Sequence, residues 1–256
     1  MAGKPVMDAQ MTDREKFLKA TEGRNIDFID IGSGRGDSMF AAKRLFDAGE
    51  GLGFDLDEKK CEIAKENGFN VLCMNALKLN RVHNVARFVQ INHVLEHLPS
   101  IKDAAFTIQS GMALAKEFMF IRQPYFDADG ALMRRGCKLY WSDWHGHPNR
   151  MTTLEFDVTL RPLKAKGLVK RYVICARDRI TSRKHPAIHP LSALRDQGPY
   201  DPTIHPPKDS IRPLWGIPIY SETIAFIDKV GSETSSYDLY RERFPDMDVI
   251  LDSDQS

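Results

Sequence analysis

Asp30, Gly32, Gly34 and Gly36 stand in the stretch DIGSGRGDS, between a β-branched and aromatic run, 25–31, and an Ala-rich stretch, 38–49. A glycine turn at such a junction lets backbone amides and a helix N-terminus approach a ligand that side chains would otherwise hold away. The dinucleotide pattern GxGxxG needs its third glycine three places after the second, for close helix packing. Counted from Gly34, that place holds Asp37. The tripeptide Arg35-Gly36-Asp37 would serve adhesion only in an exported chain. The stretch MAGKPVMDAQMTDREKF is polar, with no apolar signal core, so a cytoplasmic location is the expectation.

What remains is the pattern DxGxGxG, which resembles the first motif of class I S-adenosylmethionine-dependent methyltransferases. The resemblance implies S-adenosyl-L-methionine as cofactor, with Asp30 and the amides of Gly32, Ser33, Gly34 and Gly36 complementing the ammonium and carboxylate of its methionine end. It continues in order along the chain. Asp55, 25 residues after Asp30, closes the second apolar run in GLGFDL. In the family an acid there holds the ribose hydroxyls, which a carboxylate can accept together, with Leu56 beside it. The pair Asn75-Ala76 in MNAL falls where the family contacts adenine, Asn75 replacing the commoner Asp. NHVLEHLPS resembles the segment after the fourth strand, which implies Asn92 and His93 beside the sulfonium. Glu96 and His97 read equally as the polar start of a helix and as catalytic groups. The resemblance covers residues 26 to about 125, and the later part of the chain follows it by pattern alone.

Methyl transfer from a sulfonium is an in-line displacement, so the chain must supply alignment and, for hydroxyl or amine acceptors, a base. Candidate bases are His147 and His145 in YWSDWHGHPNRMT, together with His93. Tyr140, Trp141 and Trp144 suit an apolar wall for the acceptor. Asp143, His145 and His147 could also hold a metal. No fourth ligand is fixed by spacing, so no metal is expected. Thr152 or Thr153 makes a helix N-cap ahead of Glu155.

The elements that must position these residues are legible from periodicity. Five β-like runs, 25–31, 51–55, 69–76, 87–94 and 117–123, are separated by helical stretches, the pattern of a parallel sheet with helices on both faces. A helix after 151, a long alternating strand over 168–180 and another over 220–230 follow. The resemblance completes this as a doubly wound, mostly parallel seven-stranded α/β sheet with a C-terminal antiparallel hairpin. One domain is expected over 1–256, with a cofactor-binding core at 11–125 and an acceptor-side loop and helix at 126–160. An insertion or lid rich in proline and histidine occupies 181–219, and an acidic tail at 241–256 is a candidate for flexibility.

Composition narrows the partners. The 256 residues are 42% hydrophobic and 28% charged with a formal net charge of +1, an ordinary globular balance. The four cysteines are dispersed with no CxxC pair, consistent with reduced thiols. No run approaches the roughly 18 apolar residues of a membrane span. Charge is uneven: residues 161–184 hold nine Lys or Arg against the acid Asp178, whereas 232–256 hold seven acids against two arginines. Alternation in KRYVICARDR makes the basic run a solvated strand face before it makes a phosphate-binding one. The expected partner is therefore a small-molecule or sugar-like acceptor. A nucleic-acid methyltransferase and a catalytically silent cofactor-binding scaffold are the alternatives, and the insertion is a cover for the acceptor or a contact between copies of the chain.

Overall fold

Thr12 opens the first helix, α1 (Asp13–Thr21), with a capping box: its hydroxyl accepts from the Glu15 amide and the Glu15 carboxylate accepts from the Thr12 amide. The computed structural model describes residues 11–75, 78 and 82–255. The strands β1 (Phe28–Ile31), β2 (Gly51–Asp55), β3 (Val71–Cys73), β4 (Ala86–Asn92) and β5 (Ala115–Pro124) pair in parallel in the order β3-β2-β1-β4-β5. Parallel neighbours need crossover connections. These are α2 (Asp37–Phe46) between β1 and β2, α3 (Glu58–Glu66) between β2 and β3, and α4 (Ile101–Leu114) between β4 and β5.

Strand side chains alternate between faces, and the two faces are packed differently. Ile29, Ile31, Leu52, Val89, Ile91, Met119 and Ile121 join one largely aliphatic cluster. Their neighbours Phe28, Phe88, Phe118 and Phe120 join the other. On that face the rings of Phe28 and Phe88 stack at 5.5 Å, those of Phe88 and Phe118 at 4.8 Å, and Phe46 from α2 tilts onto Phe88 at 5.0 Å. Every residue of β1 is buried, so Asp30 lies between apolar layers, in register with Gly53 on one side and Gln90 on the other.

Beyond β5 the sheet turns antiparallel. The strand β9 (Tyr220–Lys229) pairs with both β5 and β7 (Val169–Arg179), which α6 (Thr153–Ala165) precedes. The expected hairpin is present, and among the described residues this sheet has one strand more than the expected seven. β10 (Met247–Asp252) lies antiparallel on the outer edge of β7, so this part of the acidic tail is an ordered sheet edge. The cause is charge matching between the two runs that the sequence shows separately. Arg171 on β7 holds Asp252 through two hydrogen bonds and Asp238 through a third, and Lys164 reaches Asp254 and the carbonyl of Ser253.

Segments on either side of β7 build a second, smaller unit at the carboxyl end of β5. After α5 (Asp129–Arg134), β6 (Cys137–Leu139) pairs antiparallel with β8 (Ile188–Pro190) from the insertion. Tyr125, Trp141, Ile188, Leu214 and Tyr220 share its apolar cluster, which anchors the insertion to the sheet end. The helix α7 (Ser236–Tyr240) follows β9.

Candidate functional site

The glycine turn is tied to its neighbouring strand before any ligand is considered. The amides of Gly32 and Ser33 both donate to the carbonyl of Phe54, at 2.8 and 2.9 Å. Gly32 has φ +77°, and a Cβ there would stand 2.2 Å from a methyl of Val94, so the position demands glycine on both counts. Gly34 is different. Its φ is +55°, no atom of the described residues lies within 4 Å of where a Cβ would be, and its amide donates to Asp55 Oδ2 at 2.9 Å. The Asp57 amide donates to Asp55 Oδ1 at 2.9 Å, which fixes the orientation of the carboxylate at the end of β2.

This turn forms one wall of a cavity of about 700 Å³. Of the residues expected at a cofactor, Gly32, Gly34, Asp55, Leu56, Asn75 and His93 line it. Lys60, Met74 and Thr107, to which the sequence assigns no role, line it as well, as does His97. Ser33, Gly36 and Asn92 stand outside its lining: Ser33 is buried, Gly36 is the N-cap of α2 at φ +99°, and Asn92 ends β4 opposite Arg122. Ala76 lies outside the described residues. Asp30, expected to face an ammonium group, is fully buried beneath the turn and accepts from the Ser38 hydroxyl at 2.5 Å. Burial raises its pKa to about 7, only partly offset by hydrogen bonding, which makes it a strut under the loop in this arrangement.

A second cavity, of about 540 Å³, opens beside the first. Its walls include the aromatic residues Tyr140, Trp141 and Trp144 from the loop after β6, His185 and Pro186 from the insertion, and Glu222 from β9. His93 and His97 line both cavities. His93 follows β4 in the left-handed region, φ +52°, which turns its ring between two carboxylates, with Glu96 at Nδ1 and Glu222 at Nε2, both 3.3 Å away. Burial disfavours the charged ring, but hydrogen bonds to Glu222 and Glu96 outweigh it and raise the pKa to about 9. His93 is therefore a cation at neutral pH.

His147 lines the second cavity, and burial holds its ring below the ordinary imidazole pKa, partly countered by its hydrogen bond with the Trp141 carbonyl. His145 lines neither cavity: its exposed ring pairs with Asp196 at 2.5 Å. Asp143 pairs with Lys138 at 2.5 Å. The set Asp143, His145 and His147 weighed as metal ligands is therefore not gathered at one point. Chain folding gathers a different one, Glu96, His97 and His147. Glu222 was missed because its neighbours in YSETIAFI are those of a sheet strand, and antiparallel pairing brings it opposite Pro124 and Arg177. A carboxylate at the start of an otherwise buried strand was the available signal.

No family model matches the chain, and no curated protein matches it by sequence. Solved structures do match by fold. The chain is similar to an S-adenosylmethionine-dependent methyltransferase from Archaeoglobus fulgidus at 17% identity and a TM-score of 0.55, covering 84% of this chain and 90% of that one. It is also similar to a candidate methyltransferase from Bacillus halodurans, at 13% identity and a TM-score of 0.51, covering 85% and 98%. A third match is magnesium protoporphyrin IX methyltransferase from Synechocystis with bound S-adenosylhomocysteine, at 12% identity and a TM-score of 0.47, covering 84% and 79%. With the strand order β3-β2-β1-β4-β5-β9-β7 and its antiparallel end, the chain has the class I, Rossmann-like fold of these methyltransferases.

Proposed function

We propose that the chain transfers a methyl group from S-adenosyl-L-methionine to a small-molecule or sugar-like acceptor. The observation that carries this reading is the junction of two cavities at His93 and His97. One is glycine-walled and bears a carboxylate, and the other is aromatic. Both volumes fall in the range of about 300–1,000 Å³ usual for small-ligand sites. Asp55, fixed by two backbone amides, keeps lone pairs for ribose hydroxyls, and the open space over Gly34 admits a ligand close to the backbone. The cofactor would supply an activated methyl on a sulfonium, and the residues present fit it.

The chain's own groups then divide the work. Cationic His93, held by Glu96 and Glu222, orients polar groups where the cavities meet. Tyr140, Trp141 and Trp144 exclude water from the acceptor. His147, with its neutral ring, offers a lone pair on the acceptor side, whereas His145 lies outside both cavities. The basic run is drawn into internal ion pairs through Arg161, Arg171 and Arg177, which takes charge away from any phosphate-binding face.

Calorimetric titration with S-adenosylhomocysteine, followed by labelled-methyl transfer to a panel of hydroxyl and amine acceptors, tests the reading. Donor binding with turnover of a small acceptor supports it. Binding without turnover on any acceptor favours a scaffold, turnover confined to RNA or DNA favours the nucleic-acid alternative, and no binding overturns the proposal.

A further inference from the structure

His97 Nδ1 lies 2.6 Å from the carbonyl oxygen of Gly146, and His147 Nδ1 lies 2.9 Å from that of Trp141. A carbonyl oxygen only accepts, so in each neutral ring Nδ1 carries the proton and Nε2 keeps its lone pair. A backbone acceptor behind the far nitrogen is also how metal-binding histidines are oriented. Glu96 stands with them and is 1% exposed. Its Oε1 faces His93 Nδ1 at 3.3 Å, but its Oε2 is buried with no hydrogen-bond partner among the described residues. A carboxylate oxygen without a partner is costly in a desolvated site.

One ligand atom from each of Glu96, His97 and His147 lies within 4.8 Å of the others. Two atoms bound to one ion at about 2.1 Å with tetrahedral angles are about 3.4 Å apart, so modest side-chain rotations close the set. The two segments are already stapled together. Buried Asn149 donates through Nδ2 to the Leu95 carbonyl at 2.8 Å and through its amide to the Glu96 carbonyl at 3.3 Å.

We propose that Glu96, His97 and His147 bind one divalent transition-metal ion, and that its open positions take the hydroxyl oxygen of the acceptor. Two imidazoles and one carboxylate favour zinc, iron or a similar ion over magnesium, and three protein ligands leave room for substrate. All three residues line the acceptor cavity. The second half of the proposal rests on the methyltransferase reading. The ion makes the acceptor hydroxyl acidic, and its proton leaves to solvent. The oxygen lone pair forms the C–O bond to the methyl carbon while the C–S bond breaks with its pair left on sulfur. Nothing is oxidised or reduced. His147 then acts through the ion and takes no proton itself.

The test uses the full chain stripped of metal, titrated with Zn²⁺ by calorimetry and with Co²⁺ by visible absorption, with Mg²⁺ for comparison. One equivalent of Zn²⁺ is expected to bind, with a Co²⁺ ligand-field band and little response to Mg²⁺. Glu96→Gln and the double variant His97→Ala/His147→Ala are expected to weaken Zn²⁺ at least ten-fold, and the surface variant His83→Ala to bind as wild type. Equal Zn²⁺ affinity in wild type and the double variant overturns the site, as does an equal loss in His83→Ala. S-adenosylhomocysteine binding, measured on the wild-type preparation, reports the donor site, and the cooperative unfolding transition of each variant reports folding, since His97 also lines the donor cavity. Failure to bind S-adenosylhomocysteine with Zn²⁺ binding intact overturns the methyltransferase reading and leaves the metal site standing. Undiminished methyl transfer to a hydroxyl acceptor after complete chelation overturns the role given to the ion.

Discussion

Asn149 donates a 2.8 Å hydrogen bond to the carbonyl of Leu95, and through it the loop that carries His147 is fastened to the turn that carries Glu96 and His97. These groups are about 50 residues apart in the chain, so their meeting depends on a few long-range bonds of this kind. Asn149→Ala removes a buried donor and leaves the Leu95 carbonyl without that partner, at a cost of about 1–3 kcal/mol. The expected result is weaker Zn²⁺ binding and a lower kcat with S-adenosylhomocysteine affinity preserved. A general structural defect would lower both affinities together, and parallel calorimetric titrations separate the two.

Asp55 is expected to dominate donor affinity. Its carboxylate is already oriented by the Gly34 and Asp57 amides, so little ordering entropy opposes its use. Asp55→Ala removes both the acceptor oxygens and the anchor of the glycine turn. A loss of about 10–100-fold in S-adenosylhomocysteine affinity is expected, equivalent to about 1–3 kcal/mol. Asp55→Asn keeps one acceptor oxygen and should fall between the two. Calorimetry showing unchanged affinity for Asp55→Ala would remove this residue from the site.

Asp30 carries a pH signature that belongs to the fold. Burial between the sheet layers, only partly offset by the Ser38 hydroxyl, raises its pKa to about 7, against about 3.9 in an unfolded chain. A carboxyl with a raised folded-state pKa contributes stability that is fully present below the unfolded value and is lost as pH rises through the folded one. The window therefore runs from about pH 4 to about pH 7, with a limiting slope near 1.4 kcal/mol per pH unit. Denaturant midpoints of wild type and Asp30→Asn are expected to diverge across that window, the variant gaining relative to wild type as pH rises. A constant difference at every pH would show that Asp30 does not titrate there.

The glycine turn and its junction with Asp55 were legible because their determinants are local. Asp30, the three glycines and Asp55 follow one strand-turn-helix-strand path, so spacing alone brings Gly34 to Asp55, and the structure joins them at 2.9 Å. Even there, spacing could not show that Asp30 points into the core, since that depends on which face of β1 the layers cover. The aromatic cavity was largely illegible. His93 meets Glu222 across 129 positions, and His97 meets the carbonyl of Gly146 across 49. Such contacts follow from the antiparallel addition of β9 and from the docking of a loop, neither of which leaves a periodic trace. His145 and His147, two residues apart and alike in type, diverge because Asp196 from the insertion captures the first while the Trp141 carbonyl turns the second inward.

The pairing of the basic strand with the acidic tail makes the last prediction. Arg171 grips Asp252 with Nε–Oδ1 at 3.0 Å and Nη2–Oδ2 at 2.7 Å, and their side chains are 17% and 5% exposed. Hydrogen bonding to Arg171, opposed by burial, holds the Asp252 carboxyl below its ordinary pKa, so the pair is charged at neutral pH. Removing one partner from a buried pair leaves the other charge uncompensated, typically at about 3–5 kcal/mol. Arg171→Ala is expected to lower the unfolding free energy toward that range and to release β10 from β7, whose backbone then becomes an open sheet edge prone to self-association. Replacing both residues, Arg171→Leu with Asp252→Leu, removes the stranded charge and should recover much of the loss. Hydrogen exchange of the Ile174 and Ala176 amides, which lie opposite Leu251 and Asp248, with sedimentation to follow self-association, would read the release directly. Exchange rates unchanged in Arg171→Ala would mean that backbone pairing alone holds the eighth strand.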